Sequence, residues 1–160
     1  TTLFRSLNEV VSEAVDRNQV LAGNKSIEFD VRLADRAKVF GDDELLKAAV
    51  KNLIENAVIY SDEKTAVSIT VRKRKGIAEI AVSDKGPGIS AEDQERIFER
   101  FYRVDPSRSR LTGGTGLGLS IVKHIAQKHL GEVQIKSRLG QGSTFTIRLP
   151  LAAKSIETSK

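Results

Sequence analysis

The chain has 160 residues, 39% hydrophobic and 29% charged, with a net charge of +5 and no cysteine. That suits one globular domain with a real core, and it excludes a disulfide framework and a thiolate metal site. No apolar run approaches the length of a membrane span and no leader peptide is visible, so a spanning segment is excluded and anionic partners such as nucleotides are allowed.

In chain order, Ser6 and Glu9 have the spacing of a capping box. Leu7, Val10, Val11, Ala14, Val15 and Leu21 then recur at helical spacing, predicting a helix over about 7–21 that ends near Gly23-Asn24. Ile27, Phe29, Val31 and Leu33 alternate as in a strand. Gly41-Asp42-Asp43 opens a second helix whose apolar face is Leu45, Leu46, Ala49, Val50, Leu53, Ile54, Ala57 and Val58. Two strands follow near 66–73 and 77–84, joined by the basic turn Arg72-Lys73-Arg74-Lys75-Gly76. The stretch from Lys85 to Gly114 is polar and punctuated by Gly and Pro, with one short helix near 91–98 and otherwise loop. A third helix is predicted over about 115–130, stopping at Gly131. Strands near 132–137 and 143–149, with Gly140-Gln141-Gly142 as their turn, close the chain. Helices and strands interleave without strict alternation. The expected class is therefore α+β: a two-layer sandwich with a mixed five-stranded sheet and about three helices on one face. Residues 1–150 are read as the domain and 151–160 as a frayed tail. With Thr1 first and no Met anywhere, a processed or excised piece is expected.

Three segments carry chemistry. In Asn52-Leu53-Ile54-Glu55-Asn56-Ala57, Asn52 and Asn56 are four apart and share a helix face beside the apolar side. An amide oxygen is a neutral, hard ligand suited to Mg²⁺, although two surface amides are the plain alternative. In Ser83-Asp84-Lys85-Gly86-Pro87-Gly88-Ile89, Asp84 ends a strand on the face of Ile80 and Val82. A buried carboxylate there needs a donor, such as an exocyclic amine of adenine, and Gly86 and Gly88 let a flat base approach the backbone. A surface Asp opening a Gly-Pro turn is the alternative. Gly113-Gly114-Thr115-Gly116-Leu117-Gly118-Leu119 runs into the third helix, where backbone N–H groups and the helix dipole can cradle phosphate; a structural Gly-rich turn is the alternative. No Lys-Ser or Lys-Thr follows, so it is not a Walker loop.

In this order the segments resemble the Bergerat-type catalytic domains shared by histidine kinases, DNA gyrase, chaperone ATPases and mismatch-repair ATPases, over residues from about 1 to 150. Asn52 to Tyr60 looks like the N box, Asp84 to Gly88 like the first glycine box, and Gly114 to Gly118 like the second. Ile97-Phe98-Glu99-Arg100-Phe101-Tyr102-Arg103 looks like the F box of histidine kinases, and Gly140-Gln141-Gly142-Ser143-Thr144-Phe145 like the closing glycine motif. The resemblance implies ATP and Mg²⁺ as cofactors. Asn56 would ligate the metal with Asn52 in support, and Asp84 would read the adenine amine with Thr144 nearby. Tyr60 and Ile89 would wall the base, Gly114, Thr115, Gly116, Leu117, Gly118 and Leu119 would line the phosphates, and residues 89–113 would form a lid. Arg103, Arg108 or Arg110 could reach the γ-phosphate.

The gyrase and chaperone branches carry a Glu where this chain has Asn52, which cannot act as a base near neutral pH. Glu55 adjoins Asn56 and so points about 100° round the helix. Transfer of a γ-phosphoryl group to a histidine is therefore favoured over hydrolysis. A slow ATPase or a degenerate nucleotide-binding regulatory module is the alternative. His124 and His129 read as ordinary helix residues, so the acceptor would sit on a separate dimerisation hairpin, with a response regulator downstream. Ile59 stands where histidine kinases often carry Lys or Arg, which predicts a missing phosphate contact. The basic turn reads as a solvated hairpin tip without aromatic interleaving, so no nucleic acid is expected. A monomeric cytoplasmic domain of a membrane-anchored parent, itself without membrane contact, completes the expectation.

Overall fold

The computed structural model describes residues 2–104 and 117–152. Its elements are β1 (Thr2–Ser6), α1 (Leu7–Arg17), α2 (Gln19–Asn24), β2 (Glu28–Leu33), β3 (Lys38–Asp42), α3 (Asp43–Tyr60), β4 (Ala66–Arg74), β5 (Ile77–Asp84), α4 (Ala91–Gln94), α5 (Gly118–Lys128), β6 (Glu132–Ser137) and β7 (Ser143–Pro150). The main sheet has five strands in the order β2-β4-β5-β7-β6. β2 and β4 run parallel, and the remaining neighbours are antiparallel. A parallel pair needs a long crossover, and here it contains α3. The mixed sheet with helices on one face is the predicted α+β architecture.

Alternation decides which face is covered. Val67, Ile69 and Val71 of β4, Ala78, Ile80 and Val82 of β5, and Phe145, Ile147 and Leu149 of β7 all point to the core. α3 lies over them, flanked by α1 and α5. Its Leu53 and Ile54 have no exposed surface, and truncating either to Ala is worth about 2–5 kcal/mol. The opposite face is polar. Along one row it presents Asp30, Ser68, Ser83, Thr144 and Lys136 across the five strands.

Several boundaries differ from the sequence reading. The helix expected over 7–21 breaks at Asn18, which is 2% exposed. Its backbone N–H bonds Val15 O and its side-chain amide bonds Ala14 O. Asn18 thereby satisfies the carbonyls that a continuing helix would have used, and α2 restarts one residue later. The capping box is not formed, because Ser6 makes no side-chain cap. It belongs to β1, which pairs antiparallel with β3 in a small second sheet that alternation had not disclosed. Asn8 ties that sheet to its connecting loop, donating to Asp35 O and accepting from Ala37 N.

Three further ends are set by local chemistry. α3 begins where expected, with Asp42 Oδ1 accepting from Leu45 N at 3.0 Å. The β4–β5 turn places Lys75 and Gly76 at φ 49° and 80°, the primed two-residue turn that suits strand twist. α5 stops at Lys128, and Leu130, not Gly131, takes the left-handed conformation at φ 61°. Gly131 N bonds Ala126 O and Leu130 N bonds Gln127 O, which is a Schellman ending. A Cβ on Gly131 would lie 2.1 Å from Arg148 O, so glycine is required there by the close approach to β7.

Candidate nucleotide-binding site

The C-terminal end of α3, the loop after β5 and the turn before β7 meet at one end of the sheet. Between them is a cavity lined by Asn56, Tyr60, Asp84, Pro87, Gly88, Ile89, Ile97, Val104, Ser143 and Phe145. It encloses about 480 Å³ of space free of protein atoms, open solvent at its mouth included. The walls are mainly apolar, and Asn56, Asp84 and Ser143 supply polar groups.

Asp84 is the chemical centre. Its position at the end of β5, in phase with Ala78, Ile80 and Val82, leaves it only 7% exposed. Gly86 N–H donates to Oδ1 at 2.9 Å, and the Ser143 backbone N–H also bonds the carboxylate. These donors do not offset burial. Desolvation pushes the Asp84 pKa above the ordinary carboxylate value, the two backbone N–H groups pull it down, and the negative charge of Asp62 adds to the rise. The protein's own donors thus leave the ionised form under-compensated, so a ligand N–H is favoured there.

The loops around Asp84 are fixed by close backbone packing. A Cβ on Gly86 would lie 2.1 Å from Tyr60 O, so this glycine lets the loop rest against the last turn of α3. Gly142, at φ 84°, sits equally close to Asp84 O. Gly140 N bonds Pro87 O at 2.7 Å, and Ile89 N bonds Ser137 Oγ at 2.7 Å. Gln94 reaches back to the carbonyls of Ile89 and Ser137.

After Ile89 the chain forms α4, capped by Ser90, whose Oγ accepts from Asp93 N. The helix expected to 98 gives way at Glu95 to successive four-residue turns in which the Arg96, Glu99 and Tyr102 N–H groups donate to the carbonyls of Asp93, Arg96 and Glu99. Tyr102 OH donates to Asp93, and Arg96 stacks on the Tyr102 ring at 4.5 Å. The Tyr102 and Ser90 hydrogen bonds hold the Asp93 pKa below the usual carboxylate value. Phe98 meets Phe145 edge to face at 6.2 Å, anchoring this segment to β7.

The residues singled out in the sequence are mostly brought together. Asn56, Tyr60, Asp84, Gly88 and Ile89 line the cavity, and Gly86 abuts Tyr60 beside it. Asn52 sits a turn back on α3, its Oδ1 3.8 Å from where a Gly118 Cβ would be, so α3 and the start of α5 face each other there. Leu117 precedes α5, its carbonyl accepting from Ile121 N and Ser120 Oγ, and Leu119 packs against the core. Glu55 pairs with Lys51 away from the cavity. Arg103 is not among the lining residues. Arg108, Arg110, Gly114, Thr115 and Gly116 lie outside the described residues, as do residues 105–113 of the expected lid.

One assignment is corrected. Asp84 pairs with Ser143 and Ser83 with Thr144 across β5 and β7. Thr144 therefore points to the opposite face of the sheet from Asp84, where its Oγ1 meets Ser83 Oγ at 2.6 Å. Ser143, 6% exposed, is the residue beside the carboxylate. The strict period of two along β7 was the signal that places Ser143 on the Phe145, Ile147 and Leu149 face. Pro87, Ile97, Val104 and Phe145 line the cavity but were given no site role from the sequence. Pro87 and Ile97 lay within quoted motifs, and Phe145 carried a signal in its phase with Ile147.

Comparison with known proteins agrees with this geometry. Residues 41–153 match the family described as histidine kinase-, DNA gyrase B-, and HSP90-like ATPase. The sensor-like histidine kinase SenX3 of Mycolicibacterium smegmatis is 52% identical over 144 residues, 90% of this chain and 38% of that protein. The sensor histidine kinase RppB of Synechocystis sp. is 43% identical over 91% of this chain and 32% of its own length. This chain thus spans well under half of these relatives. The structure of the mycobacterial sensor histidine kinase MprB superposes with a TM-score of 0.83 at 30% identity, covering 94% of this chain and 98% of that one. Full-length ShkA, solved in complex with AMPPNP, gives 0.82 at 26% identity, with 96% of this chain and 32% of that one covered. With the ordered motifs, the mixed sheet and the cavity at the end of α3, these likenesses establish that the chain belongs to the histidine kinase-, DNA gyrase B- and HSP90-like ATPase family, as a catalytic domain of the sensor histidine kinase type.

Proposed function

We propose that this domain binds Mg-ATP in the α3–β5 cavity and donates the γ-phosphoryl group to a histidine on a separate helical hairpin, in two-component signalling. The observation that carries the reading is the buried Asp84 carboxylate facing a mainly apolar cavity, with a pKa raised by burial. Such a group gains most from an N–H donor on a flat apolar ligand. Adenine offers that donor, whereas guanine carries an oxygen at the equivalent position and would set acceptor against acceptor. Tyr60 and Ile89 wall the base, and Ser143 N–H holds the carboxylate toward it.

The residues present also fit a magnesium ion. Among the described residues no His, Cys, Asp and Glu cluster could hold a metal, but Asn56 in the cavity offers an amide oxygen, and Asn52 lies one turn away. Mg²⁺ dehydrates reluctantly and takes few ligands from a protein beside those of substrate phosphates, so Asn56, with Asn52 in support, would hold it. When bound it would neutralise charge on the phosphates. The chain's own part is to position the nucleotide. With an amide at residue 52 and Glu55 turned to Lys51, nothing on this face of α3 activates water, which favours transfer to a supplied acceptor. ShkA was solved with AMPPNP, in keeping with a nucleotide in the corresponding pocket here.

The test is calorimetric titration with ATP and GTP, followed by incubation with labelled ATP and a helical hairpin bearing the acceptor histidine. Selective ATP binding and label on the hairpin are expected. Equal affinity for the two nucleotides would overturn the Asp84 assignment, and an unlabelled hairpin would overturn transfer.

A further inference from the structure

The last turn of α3 holds the Asn56 and Tyr60 side chains of the cavity, yet it contains no basic residue. A helix end leaves up to four carbonyls without partners and carries the negative end of the helix dipole. Ser61 N takes the Ala57 carbonyl. The next ones are taken from outside the helix. Lys25, at the end of α2, sends its ammonium to Val58 O at 2.9 Å, Ile59 O at 2.9 Å and Ser61 O at 2.6 Å. An ammonium has three N–H donors, and three carbonyls receive them. The remaining carbonyl, Tyr60 O, faces Gly86 at a distance that admits no side chain. The backbone of Lys25 also accepts from Lys64 N at 3.1 Å, so one residue holds the segment after α3 by both its side chain and its main chain.

We propose that Lys25 is a positioning residue for the nucleotide pocket: its ammonium clamps the final turn of α3 against the Asp84–Gly88 loop and thereby sets Tyr60 and Asn56 in place. The proposal rests on the nucleotide-binding reading above. Lys25 does not line the cavity and acts through α3. Its cation sits at the pole of the helix where positive charge is favoured, and it is charge-assisted on each bond. Removing it would leave two helix carbonyls and Ser61 O short of donors, and the turn would relax toward water and away from the Asp84 loop. The base end of the pocket is the part that would loosen.

The experiment measures affinity for adenosine, ADP and ATP in the full chain and in Lys25→Met, Lys25→Gln and Lys25→Arg, at a temperature where all are folded. Thermal unfolding and amide hydrogen exchange are recorded alongside. Loss of the cation is expected to weaken all three ligands by a common factor of about tenfold, because the defect lies at the base. Faster exchange over residues 57–64 should accompany it, and Lys25→Arg should recover most of the affinity. A lysine that serves stability alone would lower the unfolding midpoint and leave the affinities unchanged, which overturns the proposal. Weakening confined to ATP, with adenosine unaffected, overturns it as well. Should Lys25→Met not fold, the Gln and Arg pair decides by the same criterion. If the unmutated chain binds no adenine ligand, the pocket assignment itself falls, and the exchange data still report separately whether Lys25 clamps the turn.

Discussion

Asp84 combines two demands that conflict: burial and charge. Its burial costs free energy when it is charged, and the Gly86 and Ser143 N–H groups compensate only in part. Because its folded-state pKa is raised, its contribution to stability is fullest below the unfolded carboxylate value, about 3.9, and is lost as pH rises through the folded value. Asp84→Asn should therefore leave the empty chain as stable as the parent at low pH and more stable above that window, read from urea midpoints across pH 3–7. The same change should weaken adenine nucleotides by about 1–3 kcal/mol, measured by calorimetry. Asn56→Ala should remove the Mg²⁺-dependent part of ATP affinity while leaving adenosine binding in place; an unchanged Mg²⁺ dependence would dismiss Asn56 as a ligand.

Among the elements, α3 is specified most fully by its own residues: a capping Asp42, an apolar stripe and no internal breaker. Its far end depends on Lys25, a residue more than thirty positions earlier in the chain. α5 shows a different compromise. Leu130 occupies the left-handed position of its Schellman ending at 85% exposure, so its side chain gains little from packing while an L-residue in that conformation costs roughly 1–2 kcal/mol. Leu130→Gly should raise stability by about 1 kcal/mol, less the extra entropy of glycine in the unfolded chain. Denaturant midpoints would show it, and a lower midpoint would mean that Leu130 packs on something in solution.

On the scale of the molecule, the sheet divides the labour between its ends. The end where β5 finishes and α3 terminates carries the cavity, and the opposite end carries the basic β4–β5 hairpin, where Arg74 and Arg148 both approach Glu79. Helices cover one face, so the cavity opens at the edge of the core without passing through it. The whole domain should turn over ATP slowly in the absence of an acceptor, and Glu55→Gln should leave that rate within about twofold, since Glu55 is held by Lys51 on the solvent side. A phosphate-release assay checks this; loss of most turnover in Glu55→Gln would instead identify a hydrolytic base.

The amino-acid order by itself determined the types of β2, α3, β4, β5, α5, β6 and β7, the phase of Asp84 on β5 and the spacing of Asn52 and Asn56, because each follows from a local period of two or of 3.6 residues. It also carried the family likeness, since the motifs occur in order along the chain. Ser143 beside Asp84 was likewise within reach, from alternation along β7 read as strictly as along β5. The pairing of β1 with β3, the break at Asn18, the end of α4 at Gln94 and the clamp of Lys25 on α3 were settled only by tertiary structure. Each depends on where one buried polar group or backbone edge finds its partner, and such partners lie tens of residues away or compete with an equally good local hydrogen bond. No window of sequence contains that contest.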